Sequence, residues 1–265
     1  EQLYEYDQNI IRHTKEINVR RTEKIQWKYY QYLSLLFTEV FLDKYFADRK
    51  ALLNDINEFQ ENVFNFKPDT WHGVPPFEED DLNKLAFWCA TGSGKTLLMH
   101  VNIKQYLHYA AKYRAPKLNR IIILTPNEGL SKQHLQELYL SDIQAELFSK
   151  NSGRMFQGKT IEIIDVNKLA DKDGDKTVAV DSFEGNNLVL VDEGHKGSGG
   201  EVWKGFRNTL TLQGFSFEYS ATFGQAIAAA SNTTLKKALL AEYGKATLFD
   251  YSYRYFYNDG YGKDY

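Results

Sequence analysis

Apolar residues recur at helical spacing twice in the first quarter of the chain. Over residues 25–46 the set Leu33, Leu36, Phe37, Val40 and Phe41 falls on one face of a 3.6-residue repeat, and Leu52, Ile56, Phe59 and Val63 repeat the pattern. Two amphipathic helices are predicted. Three of the five prolines then fall between Pro68 and Pro76, beside Gly73, so residues 67–80 read as an extended connection. Beyond it the period changes. Short apolar runs at 85–89, 121–124, 161–164, 188–191 and 215–219 alternate with helical or irregular stretches, the pattern of a mainly parallel α/β sheet. Gly244-Lys245 reads as the cap that ends a helical pattern. The tail over 247–257 carries four tyrosines and two phenylalanines before the turn Asn258-Asp259-Gly260. It reads as a tyrosine-rich edge strand, with a surface for stacking on bases as the alternative.

Composition narrows the class without assigning a function. With 265 residues and 43% hydrophobic content the chain can bury a substantial core. The net charge of −3 gives no global basic field, so nucleic-acid contact would use a local surface or a partner domain. Cys89 is the only cysteine, which rules out an internal disulfide, and no Cys and His cluster has zinc-site spacing. No apolar run approaches the roughly 20 residues of a membrane span, and the first residues are too polar for a signal peptide. The expectation is a soluble, cytoplasmic protein.

Candidate chemistry begins at Ala90-Thr91-Gly92-Ser93-Gly94-Lys95-Thr96, which follows an apolar strand and precedes Leu97-Leu98-Met99. Glycines let the backbone point several N–H groups at one anion, and the start of a helix adds partial positive charge. Thr91, Gly92, Ser93, Gly94, Lys95 and Thr96 are therefore the candidate ATP-binding loop. Lys95 would reach the β- and γ-phosphates, and Thr96 would place its hydroxyl on Mg²⁺. A glycine-rich turn with a surface lysine is the plainer alternative. Gly158-Lys159-Thr160 deserves that plainer reading, because it leads into the β-branched run Ile161-Glu162-Ile163-Ile164 rather than a helix.

A second cluster lies at the carboxyl end of a buried strand, where open α/β sheets place their chemistry. Leu188-Val189-Leu190-Val191 delivers Asp192-Glu193-Gly194-His195. Asp192 would hold the Mg²⁺ shell and Glu193 would polarise the attacking water. Taken without the upstream loop, the pair reads rather as an acidic helix start with Asp192 as its cap.

With both clusters in order, the sequence resembles the superfamily 2 helicases and translocases. Asp192-Glu193-Gly194-His195 matches their Asp-Glu-x-His box, and Ser220-Ala221-Thr222 matches their third motif. Ile121-Ile122-Ile123-Leu124-Thr125-Pro126-Asn127 lies between loop and box as their order requires. The Ala-Thr-Gly-Ser-Gly-Lys-Thr loop is most similar to the restriction-subunit branch, which includes the motors of type III and type I restriction enzymes. The resemblance runs from about residue 25 to the end. It implies a RecA-like P-loop NTPase fold, a mainly parallel sheet flanked by helices and preceded by a helical N-terminal segment. It also implies that Thr125, Pro126 and Asn127 grip a nucleic-acid backbone, and that His195, Ser220 and Thr222 couple the nucleotide state to movement. Gln31, in Trp27-Lys28-Tyr29-Tyr30-Gln31, is placed like the glutamine that reads adenine; a surface glutamine on an amphipathic helix is the alternative.

The match has departures. Cys89 stands where the family has alanine, glycine or methionine, and about 60 residues separate Gln31 from the loop, so the second helix and proline-rich connection read as an insertion. Asp165-Val166-Asn167-Lys168 is a candidate for a further phosphate contact. The implied division is a helical segment over 1–80, a RecA-like ATP-binding domain over 81–250, and over 251–265 the start of a hinge. After Thr222 only 43 residues remain, so a second RecA-like domain bringing arginine fingers is expected outside this stretch. Arg207 and Arg254 match no finger motif. The implied cofactors are ATP and Mg²⁺. The implied partners are nucleic acid (DNA before RNA), a second RecA-like domain, and nuclease or methyltransferase subunits, with no membrane. An ATP-dependent DNA helicase or translocase of a restriction or defence system is the expected function. An RNA helicase, or a nucleotide-binding scaffold without motor work, stays open.

Overall fold

The computed structural model describes residues 1–66, 74–149, 160–174, 177–193, 200–223 and 233–261. The five apolar runs all become strands: β1 (Lys84–Cys89), β2 (Arg120–Thr125), β4 (Ile161–Asp165), β7 (Asn187–Asp192) and β8 (Phe215–Ser220). With β3 (Ala145–Leu147) and β9 (Thr247–Tyr251) they form a seven-stranded sheet in the order β3-β4-β2-β7-β8-β1-β9. Every pairing between neighbours is parallel. The short strands β5 (Leu169–Ala170) and β6 (Val178–Ala179) pair separately.

Parallel strands are buried on both faces because their crossovers are helices, and the two faces here are filled alternately. Leu85, Phe87, Ile121, Ile123, Ile161, Ile163, Leu188, Leu190, Phe215 and Phe217 belong to one core cluster. Ile122, Leu124, Ile164, Val189 and Val191 meet Phe206 and Leu210 of α6 (Gly200–Thr211) on the other face. Near β1 that second face is completed by Ala86, Phe223 and Tyr243, the last on α7 (Thr233–Ala246). Each fully buried side chain of this size stabilises the fold by about 1.5–3 kcal/mol.

The first face carries two helical layers. Against the sheet lies α4 (Lys95–Lys112), with α5 (Glu128–Leu140) beside it, and over α4 lie α1 (Gln2–Ile17) and α2 (Tyr29–Ala47). Polar side chains tie these layers. Glu39 of α2, fully buried, accepts from Gln105 and Tyr109 of α4 and from Asn9 of α1. Asp43 accepts from Tyr6, Lys112 and Tyr113. An unpaired carboxylate at either place would be costly, so the network specifies how α1 and α2 sit.

Several expectations are refined. The first predicted helix begins only at Tyr29, four residues later than its apolar pattern, while α3 (Arg49–Phe66) matches the second. Within the proline-rich connection, residues 67–73 lie outside the described residues; 74–78 form no regular element, with Glu78 in extended backbone, and Glu79–Asn83 is one 3₁₀ turn. Gly244 is not a cap, since α7 continues to Ala246 and β9 starts at the next residue. The aromatic tail is an edge strand for five residues and then a short helix, α8 (Tyr253–Asn258). Gly260, at φ +76, closes α8, with Tyr261 N–H donating to Phe256 O and Gly260 N–H to Tyr257 O, a left-handed cap that glycine reaches without strain. Among the described residues no helix is long and apolar enough to cross a membrane.

Candidate functional site

In a parallel sheet all carboxyl ends lie on one edge, so β1, β7 and β8 deliver their following residues side by side. Ala90 to Gly94 form the turn after β1, and α4 starts at Lys95. Gly92 at φ +82 and Gly94 at φ +92 are both left-handed, and a Cβ on Gly92 would point into open space. A side chain at Gly94 would instead overlap the Gln31 amide. Backbone N–H groups in a helix's first turn have no intrahelical acceptor, so Lys95 and Thr96 offer theirs to whatever lies in front of the loop. A loop of this shape, with exposed Thr91 and Gly92 at its tip, fits a phosphate group.

Across β8 from the loop, β7 ends in Asp192, and Glu193 follows at φ +54. A left-handed glutamate is unusual backbone and costs of order 1 kcal/mol. It is held by Glu193 N–H donating to Tyr219 O at 2.9 Å. The turn directs Glu193 back over the sheet edge, where its carboxylate Oε1 accepts from Lys95 Nζ in an ion pair. Loop and acidic pair, 98 residues apart in sequence, therefore share one site. Asp192 is 7% exposed and accepts from the imidazole of His134, a residue of α5, at 2.9 Å. Beneath the loop, burial pushes the Cys89 thiol up to about 12, so this cysteine is a packed apolar group rather than a nucleophile.

Gln31 is neither on the surface nor remote. It is 8% exposed, and its Nε2 donates to Ser93 O at 2.7 Å while its Oε1 accepts from Lys28 N–H at 2.9 Å. Gln31 and Ser93 are 62 positions apart in sequence, and the fold still brings them into contact. Tyr30 stacks on Tyr251 of β9 with ring centroids 3.8 Å apart. Tyr29 and Tyr251 both donate to Asp259 beyond α8. The aromatic tail is thereby fastened beside the phosphate loop.

The remaining expected residues divide. Ser220 is fully buried at the end of β8, and its Oγ accepts Thr222 N–H at 3.0 Å, so Ser220-Ala221-Thr222 form a pinned turn. His195 lies outside the described residues. Thr125 is fully buried and its hydroxyl pairs with Ser131 Oγ at 2.7 Å, so it faces inward. Pro126 and Asn127 reach the surface, and the Asn127 side chain caps α5 by accepting Leu130 N–H. Asp165 likewise receives Asn167 N–H at 3.0 Å. Arg207 is 2% exposed and bound to Glu218 and Glu242, each at 2.9 Å, and Lys84 pairs with both acids. Burial opposes its charge, but these acids outweigh that and hold it firmly protonated. An arginine so committed is not available to a nucleotide.

Sequence reasoning passed over His134, a lone histidine on an amphipathic helix whose partner is 58 residues away. Nothing local marks it. The contact of Tyr29 with Asp259 was equally hidden, since it joins segments 230 residues apart.

A family model described as type III restriction enzyme, res subunit, matches residues 3–225. No curated protein matches the sequence. Among solved structures, the SWI2/SNF2 ATPase core of Sulfolobus solfataricus in complex with dsDNA is similar at 12% identity and TM-score 0.38, over 63% of this chain and 40% of that one. The UvsW helicase of bacteriophage T4 is similar at 12% identity and TM-score 0.39, over 73% of this chain and 67% of that one. The arterivirus nonstructural protein 10 helicase, in complex with DNA, follows at 12% identity and TM-score 0.30, over 54% of this chain and 30% of that one. This chain thus spans less than half the length of the first and last of these proteins.

Proposed function

The chain belongs to the type III restriction enzyme res-subunit family, whose model matches residues 3–225, and from that membership we propose that it is the ATP-binding first motor domain of a DNA helicase or translocase. Its setting would be a restriction or other defence system, with nuclease or methyltransferase subunits as partners. One observation carries the reading: the Lys95 ammonium reaches Glu193 across the sheet edge. A phosphate cradle and a carboxylate base lie together at the end of one α/β sheet.

The triphosphate would lie on the loop with its oxygens facing the N–H groups of Gly92 to Thr96. Its negative charge competes with Glu193 for Lys95, so binding would exchange the ion pair for a lysine–phosphate contact. Glu193 is then released beside the γ-phosphate. There it accepts the proton of the attacking water as the water oxygen bonds to phosphorus and the bond to the bridging oxygen breaks, releasing ADP. The Thr96 hydroxyl and the Asp192 carboxylate, an oxygen donor set of the kind Mg²⁺ takes, would hold the ion. Bound there, the ion neutralises charge on the β- and γ-phosphates. Gln31 would meet adenine with the hydrogen-bonding capacity left after Ser93 and Lys28. His195, Ser220 and Thr222 would relay the nucleotide state. Nucleic acid would pass Pro126 at the start of α5, where the backbone N–H of Asn127 and the N–H groups of the first helical turn would face phosphate. A second RecA-like domain would complete the site with an arginine, a contribution worth ~10³–10⁵ in rate in P-loop enzymes.

Steady-state ATP turnover of the protein joined to that second domain, measured with duplex DNA, single-stranded DNA and RNA, tests the proposal. Stimulation by DNA is expected. Stimulation by RNA alone would assign an RNA helicase, and binding of ATP without turnover under any condition would leave a nucleotide-binding scaffold.

A further inference from the structure

His134 takes no part in the roles above, yet it touches their metal-binding carboxylate. It lies on the face of α5 that packs on the sheet, 2% exposed, with Nε2 2.9 Å from Asp192 Oδ2. The partner of an acceptor-only carboxylate must donate, so Nε2 carries a proton. Its other nitrogen, Nδ1, is buried with no hydrogen-bond partner among the described residues. His100 of α4 is also wholly buried, its pKa pushed down to about 3 by burial and then by the charge influence of His134. His100 Nδ1 meets Ser141 Oγ at 2.8 Å, and that hydroxyl accepts from Arg21 at 2.9 Å.

We propose that His134 is a positioning residue for Asp192: it occupies Oδ2, fixes the carboxylate rotamer, and so presents Oδ1 to the Mg²⁺ that accompanies the nucleotide. The inference rests on Asp192 holding the ion. Unsupported, a carboxylate at a strand end can turn about its side-chain torsions; with Oδ2 held by an imidazole seated in the core it cannot. Removing an outer partner of a metal ligand costs about 10–100-fold in metal affinity. Because α5 begins at the Asn127 cap, the same bond ties the ion-holding carboxylate to the helix that follows Thr125-Pro126-Asn127.

The test is calorimetric binding of a non-hydrolysable ATP analogue to this chain, with Mg²⁺ and with EDTA. In the unaltered chain Mg²⁺ raises affinity. In His134→Leu that gain falls about tenfold or more, while affinity in EDTA is unchanged because the loop is untouched. Should the unaltered chain show no gain from Mg²⁺, the reading of Asp192 itself fails and takes this inference with it. A folded His134→Leu with the full gain overturns the role of His134 alone. If the leucine variant does not fold, His134→Gln and His134→Asn decide. Glutamine reaches the position of Nε2 and keeps the gain, asparagine stops short and loses it, and equal gains overturn the proposal.

Discussion

At the scale of single residues, the site is organised by two charges that neutralise each other across the sheet edge. Lys95 and Glu193 are each about one-eighth exposed, at 12%, and each is the other's counter-ion. Their substitutions should therefore separate binding from chemistry. Lys95→Ala removes the phosphate partner and is expected to lower affinity for an ATP analogue by at least tenfold, in calorimetry, with the thermal transition within a few degrees of the unaltered chain. Undiminished affinity in the folded variant would show that the loop is not the cradle. Glu193→Gln keeps the shape, loses the negative charge and frees Lys95. Analogue affinity should hold or rise, while turnover in the two-domain protein falls by ~10²-fold or more, the usual contribution of a general base. Ordinary turnover in that variant would remove Glu193 from the mechanism. Glu193 also sits in left-handed backbone anchored to Tyr219, so its direction is set by the fold rather than by side-chain preference.

At the scale of elements, β1, β8, α6 and α7 are joined by the buried pair Arg207 and Glu218 together with the partly buried Glu242 and Lys84. Such sets add little net stability when intact but cost much when one member is lost, because the remaining charges stay buried. Arg207→Leu is expected to destabilise by about 3–5 kcal/mol, read from the urea midpoint. Adding Glu218→Gln should recover part of the loss by removing a stranded charge. If the single variant costs under about 1 kcal/mol, the set is no more than a surface pair in effect. The same elements explain why the Ser220-Ala221-Thr222 turn stays in place, since β8 is fixed on both sides, by β7 and by β1.

At the scale of the whole molecule, α1 and α2 are held to α4 by Glu39 and Asp43, whose titrations oppose each other. Burial resists the charge of Asp43, but donors led by Lys112, Tyr113 and Tyr6 overcome it and hold the carboxyl below its ordinary value of 3.8. A lowered folded-state pKa gives stability that is present above the unfolded value and lost as pH falls through the folded one. Burial raises Glu39 despite its donors, so its contribution has the reverse sign, greatest at low pH and lost as pH rises through its folded value. Asp43→Asn should lower the melting temperature at pH 7. Below about pH 4 the variant should lose less than the unaltered protein as acid is added, since one ionisation linked to folding is gone. Parallel melting curves of both proteins from pH 7 to pH 3 would contradict this account of how α1 and α2 are secured.

The sequence by itself determined five strands and the family, and it marked the candidate phosphate loop, because each is written in contiguous residues: unbroken apolar runs, glycines before Lys95, and two acids after Leu188 to Val191. It left Gln31 between a ligand contact and a surface position, and it gave His134 no meaning. Those answers depend on residues 62 and 58 positions away, brought near only when α2 packs over α4 and α5 packs on the sheet at β2, β3 and β4. Gly244 misled for a related reason: glycine permits a helix to end but does not compel it, and packing of α7 against β1 carries the helix through to Ala246. Local physics chose the elements and supplied the chemical groups. Which buried polar groups satisfy one another was decided only by the tertiary arrangement, since a hydrogen bond between distant segments has no trace in either segment alone.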